Sequence, residues 1–256
     1  LGLQTFDPAI QAAINRIQSL ELVETAFERL HEAGVSAINA DLLYGLPGQT
    51  VSSAAKSARI AARLEPSRLA VFGYAHVPHM KAHQRLIPEA SLPGAAERIA
   101  QGEAMGAVLE ASGYEMIGID HFARPDDPMA RMARAGTLRR NFQGYTTDRA
   151  RTILGLGASS ISRTPFGYAQ NHPEVGLWRD AVNAGISPVV RGVEIDDEDR
   201  MRAAIIESIM CRFEADPAAI AHAFGQPEPA AELGELERAG VLLLDFLSVS
   251  AVALLQ

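Results

Sequence analysis

The alternation of short apolar segments with longer amphipathic segments constrains the fold of this chain most strongly. In the first half of the sequence, the apolar segments GLQTF, VSAINADLLYG, RLAVFGYA and YEMIGID are separated by segments that carry helix start and stop signals. Strands that alternate with helices are typical of a parallel sheet with right-handed crossover connections. The sequence therefore predicts an α/β fold in which these four segments are parallel strands.

Local signals mark the boundaries of the predicted helices. Asp7-Pro8 combines a capping side chain with a residue of preset φ, and Gly34 is a left-handed stop, so one continuous helix is expected between them. Thr50 is expected to cap the second helix, and the third is expected to begin at Ser91.

Polar side chains follow the predicted strands at the points where the strands end. Gln4 follows the first strand, Asp41 and the turn LYGLPGQT end the second, and Ala75 follows the third. The fourth strand is followed by DHFARPDD. Because the active sites of parallel α/β folds lie at the carboxyl ends of the strands, we expect a functional site at this edge of the sheet.

The polar stretch GIDHFARPDDP, residues 118–128, has three interpretations: a metal site, an acid/base site or a polar turn. Asp126 and Asp127 immediately precede a helical pattern, so capping of that helix is favoured over metal binding. Asp120 and His121 are expected at the strand end, where a pocket-facing position and a plain turn are equally favoured.

Three other features have structural interpretations. His76, His79 and His83 lack the helical HExxH context of a zinc site, so loop and surface positions are favoured. GLGASS lacks GxGxxG spacing and a following helix, and close backbone approach is favoured over a phosphate site. Cys211 lies in an apolar helical pattern and is expected in the core.

The overall composition excludes some classes of partner. A net charge of -8 and a pI of about 5.4 argue against a nucleic acid held by phosphate neutralisation. No apolar run approaches the roughly 20 residues of a membrane span, so no membrane partner is expected. The single cysteine excludes an internal disulfide. The chain begins at Leu1 and is expected to be a piece of a longer one.

The second half of the chain changes character. It is first rich in glycine and small polar residues, and from about Val193 it is predicted to be helical. EIDDEDRMRAAIIESIMCRF has acidic residues in its first turn and an apolar periodic face. AAELGELERAGVLLLDFLSVS predicts a helix followed by a small hairpin, which suggests a winged-helix-like tail.

Several strings, taken together and in order, resemble one family. They are GLQTFDP with Asn15-Arg16, INADLLYGLPGQT, YAHVPHMKAHQR, IDHFARPDDP, RNFQGYTT, and LGLGASSIS with YAQN, between Gly2 and about Gly240. They are similar to oxygen-independent coproporphyrinogen III oxidase, a radical S-adenosylmethionine enzyme of haem biosynthesis. DLLYGLPGQT is shared with related radical enzymes, whereas DHFARPDD with NFQGYTT is more specific to the oxidase.

The resemblance implies the C-terminal half of a (β/α)6 partial TIM-type barrel, followed by a mainly helical, winged-helix-like domain. Residues 1–165 would form the barrel portion, and residues 166–256 the domain that covers the substrate. The CxxxCxxC motif that holds the family's [4Fe-4S] cluster would lie upstream of the matched region. With Cys211 alone, the chain has no thiolate set for a cluster, and by itself it is expected to be inactive.

The resemblance also implies the reaction and the partners of the intact protein. Two S-adenosylmethionine molecules are expected, and a 5'-deoxyadenosyl radical made from the cluster-bound one removes hydrogen from a propionate of coproporphyrinogen III. Loss of CO2 leaves a vinyl group, and two rounds give protoporphyrinogen IX. A reductant such as flavodoxin, a cytoplasmic location and a monomeric state are expected.

Site residues follow from the positions that match the family. The resemblance assigns Gln4, Arg16, Asp41 and the backbone of Ala75 to the second S-adenosylmethionine, and Ile161 to the first. The residue chemistry agrees, because a guanidinium pairs with a carboxylate and a carboxylate accepts from hydroxyl or amino groups. An apolar wall at Ile161 would keep a radical from water.

Arg124, Arg139 and Arg140 are candidates to attract the carboxylates of the substrate, because an acidic protein needs local cations to hold an anionic ligand. For Arg139 and Arg140, a solvated turn is an equal alternative. No catalytic residue and no metal ligand is assigned. Two other functions stay open for the chain, a haem-binding chaperone-like relative and a non-catalytic remnant.

Overall fold

A computed structural model describes residues 1–226, and it has the mixed α/β architecture that the sequence predicts. The chain divides into two compact units, Leu1–Thr147 and Asp148–Gln256, the second of which is described to Gln226. The domain boundary expected between residues 165 and 166 stays a prediction. The expected winged-helix-like tail, residues 230–250, lies outside the described residues.

The first unit combines a five-stranded sheet, helices and a short hairpin. Its strands and α-helices, in chain order, are β1 (Gly2–Gln4), α1 (Pro8–Ala13), α2 (Leu20–Glu32), β2 (Asn39–Tyr44), α3 (Val51–Arg63), β3 (Arg68–Gly73), α4 (Ala95–Ala111), β4 (Glu115–Ile117), β5 (His121–Ala123), α5 (Pro128–Arg134), β6 (Arg139–Asn141) and β7 (Gly144–Thr146). Two 3-10 turns, Ala82–Leu86 and Glu89–Ser91, lie in the connection between β3 and α4.

The sheet is parallel in its first three strands and antiparallel beyond them. The strand order is β1-β2-β3-β5-β4, with β1, β2 and β3 parallel as predicted. The prediction of a fourth parallel strand over YEMIGID is wrong. That segment ends at Ile117 as β4, and the chain turns back as β5, which pairs antiparallel with both β3 and β4.

A glycine and a distant tyrosine explain this reversal. Gly118 has a φ of +57°, and a Cβ at this position would overlap the ring of Tyr145. The Tyr145 hydroxyl accepts a hydrogen bond from the Ile119 N–H at 3.1 Å. The turn therefore depends on a side chain from β7, which a local strand pattern does not reveal.

The capping signals correctly locate three helix starts, but the prediction of a helix start at Ser91 is wrong, because α4 begins at Ala95 after Gly94. Asp7 accepts from the N–H groups of Ala9 and Ile10, and Thr50 forms a capping box with Ser53. Asp127 caps α5, as one of the two predicted aspartates, and it also accepts from the Arg68 guanidinium at 3.0 Å. The side chain of Asp126 does not cap that helix.

The prediction of one continuous helix between Asp7-Pro8 and Gly34 is wrong. The chain leaves α1 after Ala13 and starts α2 only after Ser19, which caps it. Asn15 has a φ of +52°, and the buried side chain of Gln11 bonds to the main chain of Gln18 in both directions. The break is therefore held by hydrogen bonds that replace the helical ones.

The core of the first unit lies on one face of the sheet. Strand residues on this face are Leu3, Ala40, Leu42, Leu69 and Val71, and the helices α2, α3 and α4 cover them. Three alanines of α3, Ala54, Ala58 and Ala61, are fully buried. Their small side chains let the helix backbone approach the sheet and α4 closely.

The second unit, as far as it is described, is a small antiparallel sheet with three helices. Its elements are β8 (Ile161–Thr164), β9 (Gly167–Asn171), α6 (Val175–Asn183), β10 (Val189–Glu194), α7 (Asp197–Arg212) and α8 (Pro217–Ala223), and the strand order is β10-β9-β8. The acidic first turn of α7 includes a capping box from Asp196 to Asp199. Cys211 is buried in α7, as predicted.

None of the helices in the described part of the chain is long and apolar enough to cross a membrane.

Tyr114 gives a test of the contact between the residues that precede β3 and those that precede β4. Its hydroxyl is buried and donates to the Pro66 carbonyl at 2.8 Å, and burial raises its pKa from 10.0 to about 12, against a lowering by Arg124 and a smaller rise from Glu65. We expect Tyr114→Phe to lower the free energy of unfolding by about 1–2 kcal/mol at pH 8.

Because the pKa is raised in the folded state, this contribution is complete below pH 10 and is lost as the pH rises through about 12. The difference between wild type and Tyr114→Phe should therefore narrow above pH 10 in denaturant titrations. A difference that stays constant to pH 12 would contradict the assignment.

Candidate functional site

The second face of the sheet, opposite the helices, carries a row of residues that includes a predicted site residue. In the strand register, Gly2 lies beside Asp41, Asp41 beside Ala70, and Ala70 beside His121. Because side chains alternate between faces along a strand, these residues share the face that Leu42 and Leu69 do not use. We call this row, Gly2, Asp41, Ala70 and His121, the cross-strand row.

Gln4 and Arg16 meet at one end of the cross-strand row. A Cβ built on Gly2 would lie 2.5 Å from Gln4 Nε2 and 3.0 Å from Arg16 Nη2, so both side chains lie over this glycine. Arg16 Nη2 donates to the Gly2 carbonyl at 2.9 Å. Arg16 lies in the link between α1 and α2, and not within a helix as predicted. The sheet edge nevertheless brings the two residues together.

The backbone at this end of the row is strained. Gln4 has a φ of +61°, and Asn15, directly before Arg16, has a φ of +52°. Positive φ costs a non-glycine residue about 1–2 kcal/mol, and such residues cluster at functional sites. The side chains of Gln4 and Arg16, which lie over Gly2, are therefore at or next to a strained residue.

Asp41 adds a carboxylate beside Gly2. Its Oδ1 accepts from Asn39 Nδ2 at 2.9 Å, two residues earlier on the same face of β2. One carboxylate oxygen is oriented by this bond, and the group is half-buried. The site therefore presents a carboxylate, a guanidinium and an amide within one small region.

Ala75 lies in the loop after β3, at the same carboxyl edge of the sheet. Its carbonyl accepts from Gln84 Nε2 at 3.0 Å, and Gln84 Oε1 accepts from the Val77 N–H at 2.6 Å. Arg98 from α4 holds the start of the same loop by donating to the Tyr74 carbonyl at 2.8 Å. The backbone around Ala75 is thus fixed by two side chains.

Buried glutamines fix the other loops at this edge. Gln101, fully buried in α4, accepts from the Gly45 N–H at 2.8 Å and donates to the Gln49 carbonyl at 2.7 Å. The Gln49 side chain donates to the Leu43 carbonyl and accepts from the Leu46 N–H. The turn LYGLPGQT after β2 is therefore tied to α4 and to its own strand.

Asp120 and His121 lie at the other end of the cross-strand row. Asp120 Oδ1 and His121 Nδ1 are 2.6 Å apart. The His121 ring makes edge-on contacts with Phe72 and Tyr145, with centroid distances of 5.7 Å and 5.1 Å. Both members of the pair are half-buried, and the interpretation that they face a pocket stays a prediction.

The predicted arginines are placed differently from one another. Arg140 lies over the ring of Tyr145, with 5.7 Å from its Cζ to the ring centroid, and Arg139 lies next to it on β6. Arg124 is exposed at the opposite edge of the sheet, where its N–H donates to the Ser67 carbonyl before β3 begins. The geometry therefore does not bring Arg124 to the carboxyl edge.

Ile161 belongs to the second unit and begins β8. Its backbone approaches Gly155, where a Cβ would lie 2.8 Å from the Ile161 carbonyl group. Asn171 Nδ2 donates to the carbonyls of Gly155 and Gly157. Gly155 of GLGASS thus allows a close backbone approach, as the sequence indicates, whereas Gly157 has a φ of +101°. The Ile161 side chain is half-buried.

The remaining candidates are peripheral to the cross-strand row. His76 Nδ1 lies 3.3 Å from the Tyr74 hydroxyl, whereas His79 and His83 are exposed in the loop after β3. Within residues 1–226, no group of three or more His, Cys, Asp or Glu side chains is arranged to hold a metal ion. An open groove of about 440 Å³ lies elsewhere, lined by Asp7, Ala9, Ile10, Ala13, Pro47, Gly48, Leu86, Ile87, Pro88 and Ser91.

Sequence reasoning missed the residues that support the site. Gln101 occurs in an apolar helix, and nothing local distinguishes it from an exposed glutamine. Arg98 would be read as a surface residue, yet Gly45 and Gly73 both leave room for it. Tyr145 contacts His121 and Gly118 from far along the chain. Gly45, Gly73 and Gly118, which leave space for Arg98 and Tyr145, are the sequence signal that could have indicated these contacts.

No protein-family model matches the chain. The solved structure of coproporphyrinogen III oxidase from Escherichia coli, described as a radical SAM enzyme, matches it with a TM-score of 0.80 and 39% identity. The match covers 88% of this chain and 52% of that structure. At this identity the likeness extends beyond the fold, and it relates this chain to part of a radical SAM enzyme.

Curated relatives give the same relationship. The oxygen-independent coproporphyrinogen III oxidase of Bradyrhizobium diazoefficiens is 47% identical over 96% of this chain and 54% of its own length. That of Paracoccus denitrificans is 48% identical over 84% of this chain and 48% of its own length. The resemblance found in the sequence is confirmed: the chain is homologous to part of the oxygen-independent coproporphyrinogen III oxidases. It spans about half the length of these relatives.

Gln101 provides a test of the loop network. Gln101→Leu would leave the Gly45 N–H and the Gln49 carbonyl buried without a partner, and we expect a loss of roughly 2–4 kcal/mol in the free energy of unfolding. Glu103→Leu, an exposed change in the same helix, is the matched control and should cost little. Equal losses in urea titrations would show that the amide bonds are not the cause.

Gln4 tests the strained backbone. Because its φ is positive, Gln4→Gly should be more stable than Gln4→Ala by roughly 1 kcal/mol in urea titrations. The same pair of changes at the exposed Glu28, inside α2, should give the opposite order, since glycine disfavours a helix interior. Identical stabilities of the two Gln4 variants would contradict the strain.

Proposed function

We propose that this chain is the C-terminal portion of an oxygen-independent coproporphyrinogen III oxidase. In this proposal, the first unit is the later part of a partial (β/α)6 barrel, and the second face of its sheet lines the barrel interior. The observation that carries the proposal is the convergence of Gln4, Arg16 and Asp41 on one end of the cross-strand row. These three positions are separated in sequence, and the resemblance assigns all three to the cofactor.

The side chains present fit S-adenosylmethionine. The Arg16 guanidinium suits the carboxylate of its methionine part, and the Asp41 carboxylate suits ribose hydroxyl or amino donors. Gln4 offers both a donor and an acceptor, and the fixed backbone at Ala75 offers a further contact. In this proposal, these residues would bind and orient the second S-adenosylmethionine, whereas the first, to which Ile161 is assigned, would supply the radical that removes hydrogen from the substrate. The number of two such molecules per intact enzyme is part of the proposal.

An iron-sulfur cluster does not fit the residues of this chain. Cluster ligation in this family requires several thiolates, and Cys211 is the single cysteine of the sequence and is buried in α7. In the proposal, the cluster ligands therefore belong to a segment outside this sequence. No step of the reaction is assigned to the chain through the cluster.

The substrate in this proposal is coproporphyrinogen III, whose propionates are decarboxylated to vinyl groups. Arg140, stacked on Tyr145, is the candidate cation that lies near the cross-strand row, with Arg139 next to it. An apolar side chain at Ile161 would exclude water from the radical. The names of the matched relatives favour this function over a haem-binding relative. The reductant, the monomeric state and the cytoplasmic location stay predictions.

The test uses the complete gene product, reconstituted with iron and sulfide under anaerobic conditions. With S-adenosylmethionine, coproporphyrinogen III and dithionite, we expect CO2 release and formation of protoporphyrinogen IX. Asp41→Asn should weaken S-adenosylmethionine binding roughly tenfold, because a charged hydrogen bond to the ligand is lost. Binding by calorimetry checks this independently of turnover.

Asp180→Asn, an exposed aspartate on α6, is the control and should behave as wild type. Haem binding by the wild-type product without CO2 release would replace the proposal with the haem-carrying alternative. Unchanged cofactor affinity in Asp41→Asn would refute the assignment of this carboxylate.

A further inference from the structure

The Asp120–His121 pair is the part of the cross-strand row that the proposed cofactor contacts leave unused. Ala70 separates His121 from Asp41, and one strand spacing is about 4.8 Å, so the two backbones lie roughly 10 Å apart on the same face. The pair therefore lies on the same face as Asp41, but a ligand group that contacts Asp41 would not also contact His121.

The His121 ring is held in one orientation. Asp120 lies 2.6 Å from Nδ1, and the rings of Phe72 and Tyr145 contact the imidazole edge-on. Tyr145 is fixed in turn by the Ile119 N–H and by the space that Gly118 leaves. Such support is what a binding residue needs and what a merely exposed histidine lacks.

The chemistry of the pair defines what His121 can bind. A carboxylate can only accept hydrogen bonds, so the proton of the neutral imidazole sits on Nδ1 and the lone pair on Nε2. Among the described residues, Nε2 has no hydrogen-bond partner, and 15% of the side chain is exposed. The ring therefore offers an acceptor towards the sheet face, and a ligand group that fits it is an N–H donor.

We infer that His121 is a substrate-contacting residue that accepts a hydrogen bond at Nε2 from a pyrrole N–H of the tetrapyrrole, with Asp120 as its positioning residue. This inference rests on the proposed function and extends it to a substrate contact. The tetrapyrrole carries both N–H donors and carboxylates. His121 serves the former, and Arg140, on the neighbouring ring of Tyr145, is placed for the latter.

The decisive variant is Asp120→Asn in the complete gene product. An amide can donate to Nδ1, which moves the imidazole proton to Nε2 and turns the acceptor into a donor. We expect the affinity for coproporphyrinogen III, measured anaerobically by quenching of protein fluorescence, to fall roughly ten- to hundredfold. Asp126→Asn, an exposed aspartate in the same polar stretch, is the matched control.

Two changes at His121 separate binding from packing. His121→Gln retains a side-chain carbonyl that can accept the bond, so it should keep affinity within a few-fold of wild type. His121→Leu removes the acceptor and should match the loss in Asp120→Asn. The melting temperature of each variant is measured in parallel, and the shape-preserving Asp120→Asn carries the test if His121→Leu does not fold.

The outcomes are distinguishable. If wild type does not bind coproporphyrinogen III, the proposed function fails and the inference fails with it. If wild type binds and His121→Leu binds equally well, the inference alone is overturned. Tighter binding by Asp120→Asn would show that Nε2 meets a carboxylate, and a loss of S-adenosylmethionine affinity in place of substrate affinity would show that it meets the cofactor. Either result overturns the pyrrole contact.

Discussion

The carboxyl edge of the sheet depends on hydrogen bonds from buried glutamine side chains to the main chain. Gln11 holds the break after α1, Gln49 and Gln101 hold the turn after β2, and Gln84 holds the loop after β3. A buried amide without partners costs free energy, and so does a buried peptide group. Loss of one of these bonds would leave polar groups at least partly buried without a partner, so each loop is held in place and so are the groups at the candidate site.

Because side chains alternate between faces along a strand, the two faces of the sheet carry different kinds of residues. One face is closed by α2, α3 and α4 over an apolar core, and it provides the stability of the first unit. The other face carries the cross-strand row, in which the small residues Gly2 and Ala70 alternate with Asp41 and His121. The side chains of Gln4 and Arg16 lie over Gly2, so the same backbone that buries the core also spaces the polar groups of the candidate site.

The sequence correctly predicted the features of the fold that depend on residues close together in the chain. The caps at Asp7, Thr50 and Asp127 are set by hydrogen bonds within a few residues, and the parallel order of β1, β2 and β3 follows from crossovers. The β4–β5 hairpin could not be predicted, because it depends on Tyr145, 26 residues beyond the amide that its hydroxyl binds. For the site, Gln4 ends β1 as predicted, whereas Asp41 lies within β2 and not at its end. Gln101 and Arg98 act through the tertiary structure and could not be predicted from local patterns.

The reversal at Gly118 also determines which residues of the DHFARPDD motif lie near the candidate site. In DHFARPDD, His121 and Arg124 are three residues apart and were both expected beside the site. Because β5 runs antiparallel to β3, His121 pairs with Ala70 towards the carboxyl edge, whereas Arg124 bonds to Ser67 at the amino edge. The three-residue strand β5 therefore places His121 on the face of the sheet that carries the cross-strand row. Asp127, at the end of the motif, instead caps α5 and pairs with Arg68 of β3. A role inferred from a family motif therefore has to be considered for each residue separately, because the direction of the strand determines which residues of the motif lie near the candidate site.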